Sequence, residues 1–483
     1  MESKEENLGL TAKKSEDFNE WYNQVVLKAD MIDYSLVSGC IIFKPNSYAI
    51  WEKIQKIFDD KIKRSGHKNC YFPMFIPESL LKKEAEHVEG FSPEVAWVTR
   101  AGDTELNEWL AIRPTSETVM YESYAKWIRS WRDLPLLLNQ WNSVVRWEFK
   151  HAKPFLRTRE FLWQEGHTAH ATKEDAEKEV MQQLFEYVDL IENYMAIPVI
   201  AGKKTDKEKF AGADYTTAVE AYMPDGKALQ MGTSHMLGQN FSKPFEIKFL
   251  DKDEKEKYAW QTSWGLSTRT IGAVVMAHGD DKGLVLPPKI APLQIVVVPI
   301  VFKDNKDAII TKAKEIVKKL KAKNYAVELD DRDSYTPGWK FNEWELKGVP
   351  LRIEIGPKDL EAEQLVLVRR DTNEKQTIKT KDLEKKIEDI LNNIQESLFQ
   401  KAKEYLIKSI VEVHNFNDFL NELKNKKMPK AMFCGQAECE DNIKDKSEGA
   451  TCRCIPFEQK PVVGKCIECG SEAKYWALFA KGY

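Results

Sequence analysis

Residues 136–171 read LLLNQWNSVVRWEFKHAKPFLRTREFLWQEGHTAHA, and this stretch decides the fold. Its two flanks, LLLNQWNSVVRWE and REFLWQEGHTAHA, are rich in aromatic and apolar residues and alternate with period two. That pattern predicts a pair of half-buried antiparallel strands. The connecting loop, Phe149 to Arg159, is rich in Lys, His and Arg, so the hairpin carries positive charge at its tip.

Working outward, Thr172 is placed to cap a helix running through Tyr194, with Asp175 in its first turn. Residues 215–249 are again strand-rich and turn at Pro224-Asp225-Gly226. Upstream, Phe18, Trp21, Tyr22 and Val25 form the apolar face of a first helix, and Pro45 opens a second that stops near Gly66. A boundary falls at residues 287–292, PPKIAP. Beyond it strands (LQIVVVPI, YAVELD, LRIEIG, QLVLVRR) alternate with helices, the order of a small α/β domain with a largely parallel sheet. A long Lys/Glu-rich helix follows from Thr380, and a cysteine-rich unit closes the chain. The expected units are a catalytic domain at 1–288, an α/β domain at 289–403 and a small α+β unit at 404–483.

Composition sets the class. The chain has 483 residues, 42% hydrophobic and 31% charged, with a formal net charge of −4. It is long enough for roughly three packed domains. A small net charge still permits nucleic-acid binding, because a large enzyme can gather Lys and Arg on one face. The polar N-terminus has no apolar core of a signal peptide, and no run approaches the ~20 apolar residues of a membrane span. No membrane association and a cytoplasmic location are expected. Six of the eight cysteines fall between Cys434 and Cys469, which points to a local metal site rather than a disulfide framework.

Three segments belong together: Arg113-Pro-Thr-Ser-Glu-Thr118, the strand–loop–strand bearing Arg146-Trp-Glu148, Arg157-Thr-Arg-Glu160 and Trp163-Gln-Glu-Gly-His167, and Gly265-Leu-Ser-Thr-Arg269-Thr-Ile-Gly272 before an apolar helix. The last two resemble motifs 2 and 3 of the class II aminoacyl-tRNA synthetases, and the full set resembles the prolyl-tRNA synthetases over nearly the whole chain. GHKNCYFPMFIP, residues 66–77, is similar to motif 1, which implies a homodimer. The resemblance implies an antiparallel-sheet catalytic domain that joins L-proline to ATP and then to tRNA(Pro). Attack of a carboxylate on the α-phosphorus needs positioning and charge stabilisation, with no protein nucleophile, and arginine suits both tasks.

Arg146 would then contact the α-phosphate and the proline carboxylate, and Arg269 the far end of ATP. Arg157 would add a phosphate contact. Glu148 and the Thr158 backbone fit the adenine edge; Gln230, Thr233 and Ser267 fit the ribose–phosphate side; Mg2+ would screen the phosphates. Thr115 and Glu117 sit where the family places acceptors for the proline ammonium. Trp163, Glu165, His167 and Phe91 would shape the ring pocket, with His235 closing it. A threonyl enzyme would need a cysteine zinc ligand in the pocket, and none occurs between Cys70 and Cys434. A seryl enzyme is disfavoured by the α/β domain. The segment from His167 to Gly265 is too short for an inserted editing domain, and one methylene is worth only about 1–3 kcal/mol, so mischarging by alanine or cysteine is expected. The architecture resembles the archaeal/eukaryotic type.

The α/β domain resembles the anticodon-binding domain of this group and carries its Lys-Phe-x-x-x-Glu-Leu-x-Gly-x-Pro pattern at 340–350. Two guanines in prolyl anticodons call for cations on O6/N7 and carboxylates on the amino edge, making Lys340, Glu345, Arg352 and Glu354 the candidates. In the tail, Cys434-x4-Cys439 and Cys466-x2-Cys469 flank Cys452-Arg-Cys454. Four thiolates in tetrahedral reach signal a closed, structural Zn2+ site; the family pattern favours Cys434, Cys439, Cys466 and Cys469. Two rivals are a catalytically dead synthetase-like tRNA binder and a zinc-dependent nucleic-acid module. The first conflicts with the presence of Arg146, Arg157 and Arg269, and the second leaves most of the chain unexplained.

Overall fold

The computed structural model describes residues 9–87, 94–148, 152–302 and 304–483. Helix α1 (Phe18–Lys28) starts where the Asp17 carboxylate accepts from the Glu20 amide at 3.0 Å, and it buries Trp21, Tyr22 and Val25. Helix α2 (Pro45–Arg64) has its proline in the first turn, where no amide is missed. Strands β1 (Lys68–Asn69), β2 (Leu136–Val145) and β3 (Glu160–His170) follow, with helix α3 (Glu117–Trp127) between β1 and β2. Helix α4 (Lys173–Asp189) is capped by the Thr172 hydroxyl, which accepts from the Asp175 amide at 3.2 Å. The expected helix through Tyr194 is α-helical only to Asp189; its last turn, Leu190–Tyr194, widens to a π-turn.

Strands β4 (Ile200–Lys203), β5 (Tyr215–Tyr222), β6 (Lys227–Gly238) and β7 (Trp260–Ser267) complete an antiparallel sheet in the order β4-β5-β6-β7-β3-β2, with β1 added parallel to β2. The antiparallel β2–β3 pair is present as the sequence predicts, with Asn142 opposite Trp163 and Gln140 opposite Glu165. Alternation then splits the residues of β3: Trp163, Glu165 and His167 face a cleft, and Gln164 faces the helices. On the helix side, α1, α2, α4 and helix α5 (Arg269–His278) cover Trp264 and Leu266 in the largest core. Gly166 is required there, because a Cβ would lie under 3.0 Å from the Trp264 indole.

The second domain holds β8 (Ile295–Pro299), α6 (Lys306–Ala322), β9 (Val327–Leu329), α7 (Pro337–Leu346), β10 (Leu351–Ile355), β11 (Gln364–Arg369) and β12 (Lys375–Lys379), in sheet order β9-β8-β10-β11-β12. The expected largely parallel sheet is half so: β9–β8 and β8–β10 are parallel, β10–β11 and β11–β12 antiparallel. Residues 356–363 are too few for the crossover of a dozen or more residues that a parallel neighbour needs. Helix α8 (Leu383–Ser409) then runs on without interruption, so a division at 403/404 falls inside a helix.

The cysteine-rich unit is not a separate appendage. Its strands β13 (Ile410–Val413), β14 (Met428–Phe433), β15 (Ala450–Pro456) and β16 (Tyr475–Gly482) join the catalytic sheet through β15–β4 pairing, extending it to 11 strands. Gly202 of β4 permits this, because a Cβ there would collide with Cys454 Sγ and the Ile455 carbonyl. Helix α9 (Phe416–Lys424) and helix α10 (Ala437–Lys446) pack against β14 and β15.

Candidate active site

The cleft on the open face of the catalytic sheet encloses about 300 Å³. It brings together Thr115, Glu117, Arg146, Arg157, Thr158, Trp163, Glu165, His167, Gln230, Thr233, His235, Ser267 and Arg269, which come from separate segments of the chain. Glu148 is exposed beyond the end of β2 and does not line it. Phe91 lies outside the described residues.

One end of the cleft is acidic. Glu117, the first residue of α3, is buried and accepts a hydrogen bond from the Thr115 hydroxyl. Glu165 is equally buried but fully occupied: it accepts from the Ser116 amide (3.2 Å), Ser116 Oγ (2.5 Å), Gln140 Nε2 (2.9 Å) and Asn142 Nδ2 (2.7 Å), and contacts His167 Nε2 at 3.0 Å. Burial opposes its charge, yet the bonds from His167, Ser116 and Asn142 hold it down to about 2. Glu165 therefore lines the cleft and also braces it. It orients His167, and through Asn142, which accepts from Trp163 Nε1 at 2.6 Å, it fixes Trp163.

His167 is pulled two ways: burial lowers its basicity, but Glu117 and Glu165 raise it above the ordinary histidine value. His235, bonded to Thr216 Oγ1 at 2.9 Å and packed on Phe210, is pushed down to about 3 by burial and by His167, so it stays neutral. Glu117, Glu165 and His167 are close enough to share a cation, but the Glu165 oxygens are already spoken for by the donors above. His170 is three residues beyond His167, hence on the opposite face, where it bonds Thr168 Oγ1 at 2.7 Å.

The other end is basic. Arg146 Nε donates to the Pro114 carbonyl at 3.1 Å, and its guanidinium lies 5.5 Å from both the Phe161 and Trp163 rings. Arg269 begins α5 and donates to the carbonyls of Leu156 (3.2 Å) and Gln230 (3.3 Å). Burial first, and then Arg146, push its guanidinium down to about 10. Its side chain and the amide end of α5 lie together, an arrangement that could hold an anion and so relieve the repulsion between Arg269 and Arg146.

Sequence reasoning missed Phe161, Phe210, Thr216 and Ser263 of the lining. Phe161 and Ser263 were within reach, since each shares its strand's cleft-facing parity with Trp163 or Gly265. Phe210 and Thr216 come from a loop and a neighbouring strand that no local pattern links to the motifs.

The anticodon candidates form a mostly buried polar network. Arg352 donates to Glu354 at 3.0 Å and Glu345 at 3.1 Å, and Lys340 donates to the Asp330 carbonyl at 3.0 Å. Lys340, Arg352 and Glu354 are all buried. Nearby, Tyr335 and Trp339 stack at 3.7 Å with Arg332 at 5.0 Å from the tyrosine ring, and Tyr335 is exposed. In the tail, Cys434, Cys439, Cys466 and Cys469 converge, with Cys434 and Cys469 sulfurs 3.9 Å apart. Four sulfurs at ~2.3 Å from a tetrahedral ion stand ~3.8 Å apart, so the set fits one metal. Cys452 and Cys454 are buried elsewhere, against Glu440 and Gly202.

An antiparallel sheet that carries the phosphate-ready arginines on a hairpin and on a following helix is the core of a class II aminoacyl-tRNA synthetase. The family model of that core (G, H, P, S and T enzymes) matches residues 97–278, an anticodon-binding domain model matches 294–390, and a prolyl-tRNA synthetase C-terminal model matches 416–483. The chain is 54% identical to proline--tRNA ligase of Natranaerobius thermophilus, covering 97% of each, and 53% identical to proline--tRNA ligase 2 of Clostridioides difficile, covering 98% of this chain and 97% of that one. It is 52% identical to the bifunctional glutamate/proline--tRNA ligase of Cricetulus griseus, covering 99% of this chain and 33% of that protein. The chain belongs to the prolyl-tRNA synthetases.

Proposed function

We propose that the chain activates L-proline with ATP and transfers the prolyl group to the 3′ end of tRNA(Pro). The observation that carries this is the charge order along one cleft: the Thr115/Glu117 acceptors, then Arg146, then Arg269 at a helix N-terminus. A proline ammonium on Glu117 leaves its carboxylate facing Arg146. The ring then lies against Trp163, His167 and His235. ATP fills the basic end, with Arg146 on the α-phosphate, Arg157 and Arg269 on the outer phosphates, and Gln230, Thr233, Ser267 and the Thr158 backbone along ribose and adenine. Mg2+ bound with the nucleotide would neutralise part of its phosphate charge. Arg146 touches both reactants, so it sets the attack line and stabilises charge that grows on the α-phosphoryl group.

Amino-acid-dependent ATP–pyrophosphate exchange tests this reading. Proline should support exchange, and Arg146→Ala should lower it about 10²–10³-fold, the cost of removing one preorganised charge stabiliser. Exchange without proline, or an unaffected variant, refutes it. Alanine or cysteine should support weaker exchange, because the ring wall cannot exclude a smaller side chain; no detectable exchange with either refutes mischarging.

The four converging cysteines support a structural Zn2+. Exposed Tyr71, Met74 and Phe75, in the segment similar to motif 1, support a homodimer. With tRNA as substrate, the cytoplasm is its workplace. For the anticodon, the burial of Lys340, Arg352 and Glu354 favours a shaping role, and Tyr335, exposed and stacked on the half-buried Trp339 beside Arg332, offers a platform for an unstacked base.

A further inference from the structure

A second cavity, of about 330 Å³, lies at the far end of α5 from Arg269, where the N-terminal segment, the catalytic domain, the second domain and α8 meet. Helix α5, ten residues and about 15 Å long, runs from Arg269 to His278, whose end forms the cavity wall. Its apolar lining includes Ile197, Val285, Leu398 and Tyr405. Two lysines face it: Lys14, half-buried, and Lys401, exposed at the rim.

The charge balance of this cavity is lopsided. The Asp280 carboxylate is neutralised by Arg370 through bonds of 2.6 and 2.7 Å, and Asp371 by Arg369 through bonds of 2.7 and 2.9 Å. Lys14 Nζ donates to the Gly279 carbonyl at 2.7 Å, and Lys401 has no carboxylate partner among the described residues. Burial, and next Lys401, push the Lys14 ammonium down to about 8, and His278 is held neutral at about 4, by burial first. Asp280 is bonded to Arg370, and Asp281, which accepts the Lys14 amide at 2.8 Å, is the one other carboxylate favouring the Lys14 charge. Two lysines set over an apolar floor with that single counter-charge are complementary to one kind of molecule.

We propose that this cavity binds a small amphipathic anion, with a carboxylate or phosphate head between Lys14 and Lys401 and an apolar body against Ile197, Val285, Leu398 and Tyr405. The occupant touches four parts of the chain at once, so it fastens the second domain and α8 to the catalytic domain. Binding to the folded state then raises the unfolding temperature by mass action.

The test uses the full chain with ATP and proline saturating, so that the active-site cleft is filled. The fluorescent anion 8-anilinonaphthalene-1-sulfonate is titrated, with decanoate, decyl phosphate and decanol as competitors. One saturable site per chain is expected, displaced by decanoate or decyl phosphate and not by decanol; whichever anion competes better identifies the head group. Lys401→Gln, at an exposed helix position, and the Lys14→Gln/Lys401→Gln pair should weaken dye binding at least fivefold and tenfold. Ala402→Phe, which fills the cavity from α8, should abolish it while proline-dependent exchange persists. Absence of a saturable site, displacement by decanol as effective as by decanoate, or undiminished binding in both lysine variants overturns the proposal.

Discussion

Replacing Glu220 by Gln tests how the cysteine-rich unit is held to the catalytic domain. Glu220 sits on β5, 1% exposed, with Lys204 Nζ of the segment after β4 at 2.6 Å and Arg453 of β15 at 3.2 Å. Lys204 also donates to the Arg453 carbonyl at 2.7 Å, so one buried carboxylate ties the two units together. Burial works against its charge, but the two cations hold it below the ordinary carboxylate range. Removing that charge strands two buried cations, a loss of about 3–5 kcal/mol for a broken buried pair. Glutamine keeps an acceptor oxygen, which places the expected loss at about 3 kcal/mol, or roughly 10²-fold in the folding equilibrium. Urea unfolding measures this, with hydrogen exchange of the β4 and β15 amides reporting whether the β4–β15 seam opens first. Replacing all three charges (Lys204→Met, Glu220→Leu and Arg453→Met together) removes the imbalance and should cost less than Glu220→Gln alone. A loss under about 0.5 kcal/mol for Glu220→Gln, the range of an ordinary surface substitution, or a triple variant less stable than the single one, refutes the reasoning.

Gly166→Ala should destabilise by about 1–3 kcal/mol through overpacking against Trp264; chemical denaturation reads it, and a neutral result would mean that the indole has room to shift. Acid should weaken the fold. His170, His235 and His278 are held at about 4, 3 and 4 by burial, so the unfolded chain binds more protons between those values and ~6.5. Their contribution is complete above ~6.5 and falls by up to about 1.4 kcal/mol per pH unit for each histidine as pH drops. His167, raised by Glu117 and Glu165, works in the opposite sense and loses its contribution as pH rises through its folded value. The urea midpoint should therefore fall from pH 7 to pH 5, and an unchanged midpoint contradicts this. An extension after Tyr483 should reduce exchange activity: the ring packs on the main core between Lys153 and Lys227, and its amide donates to the Ala228 carbonyl at 3.4 Å. Full activity in a tagged chain would show that this docking is dispensable.

The motifs were legible because their chemistry demands particular residue types at short spacing. Period-two alternation alone marks the two strands of one hairpin, with Trp163 on β3 and Arg146 one residue past the end of β2. Glu165 shows the limit of such reading. A carboxylate between Trp163 and His167 reads as part of a substrate wall, and it does line the cleft, but its donors, Ser116, Gln140 and Asn142, arrive from other segments that no local pattern links to it. The guanine-directed candidates show it again. Lys340, Arg352 and Glu354 have suitable chemistry, but the packing of α7 on the sheet buries all three.

The sequence by itself determined the antiparallel hairpin and a cysteine-rich metal site through local spacing and residue chemistry, and it supplied the reaction class, the amino acid and the choice of four thiolates through its resemblance to the prolyl-tRNA synthetases. Tertiary structure alone decided that the cysteine-rich unit continues the catalytic sheet, that Glu220 balances charges from two domains, and that Lys14 meets Lys401 across a cavity. Those facts depend on contacts between residues hundreds of positions apart, and no local period encodes which distant edge, charge or lysine will become a neighbour.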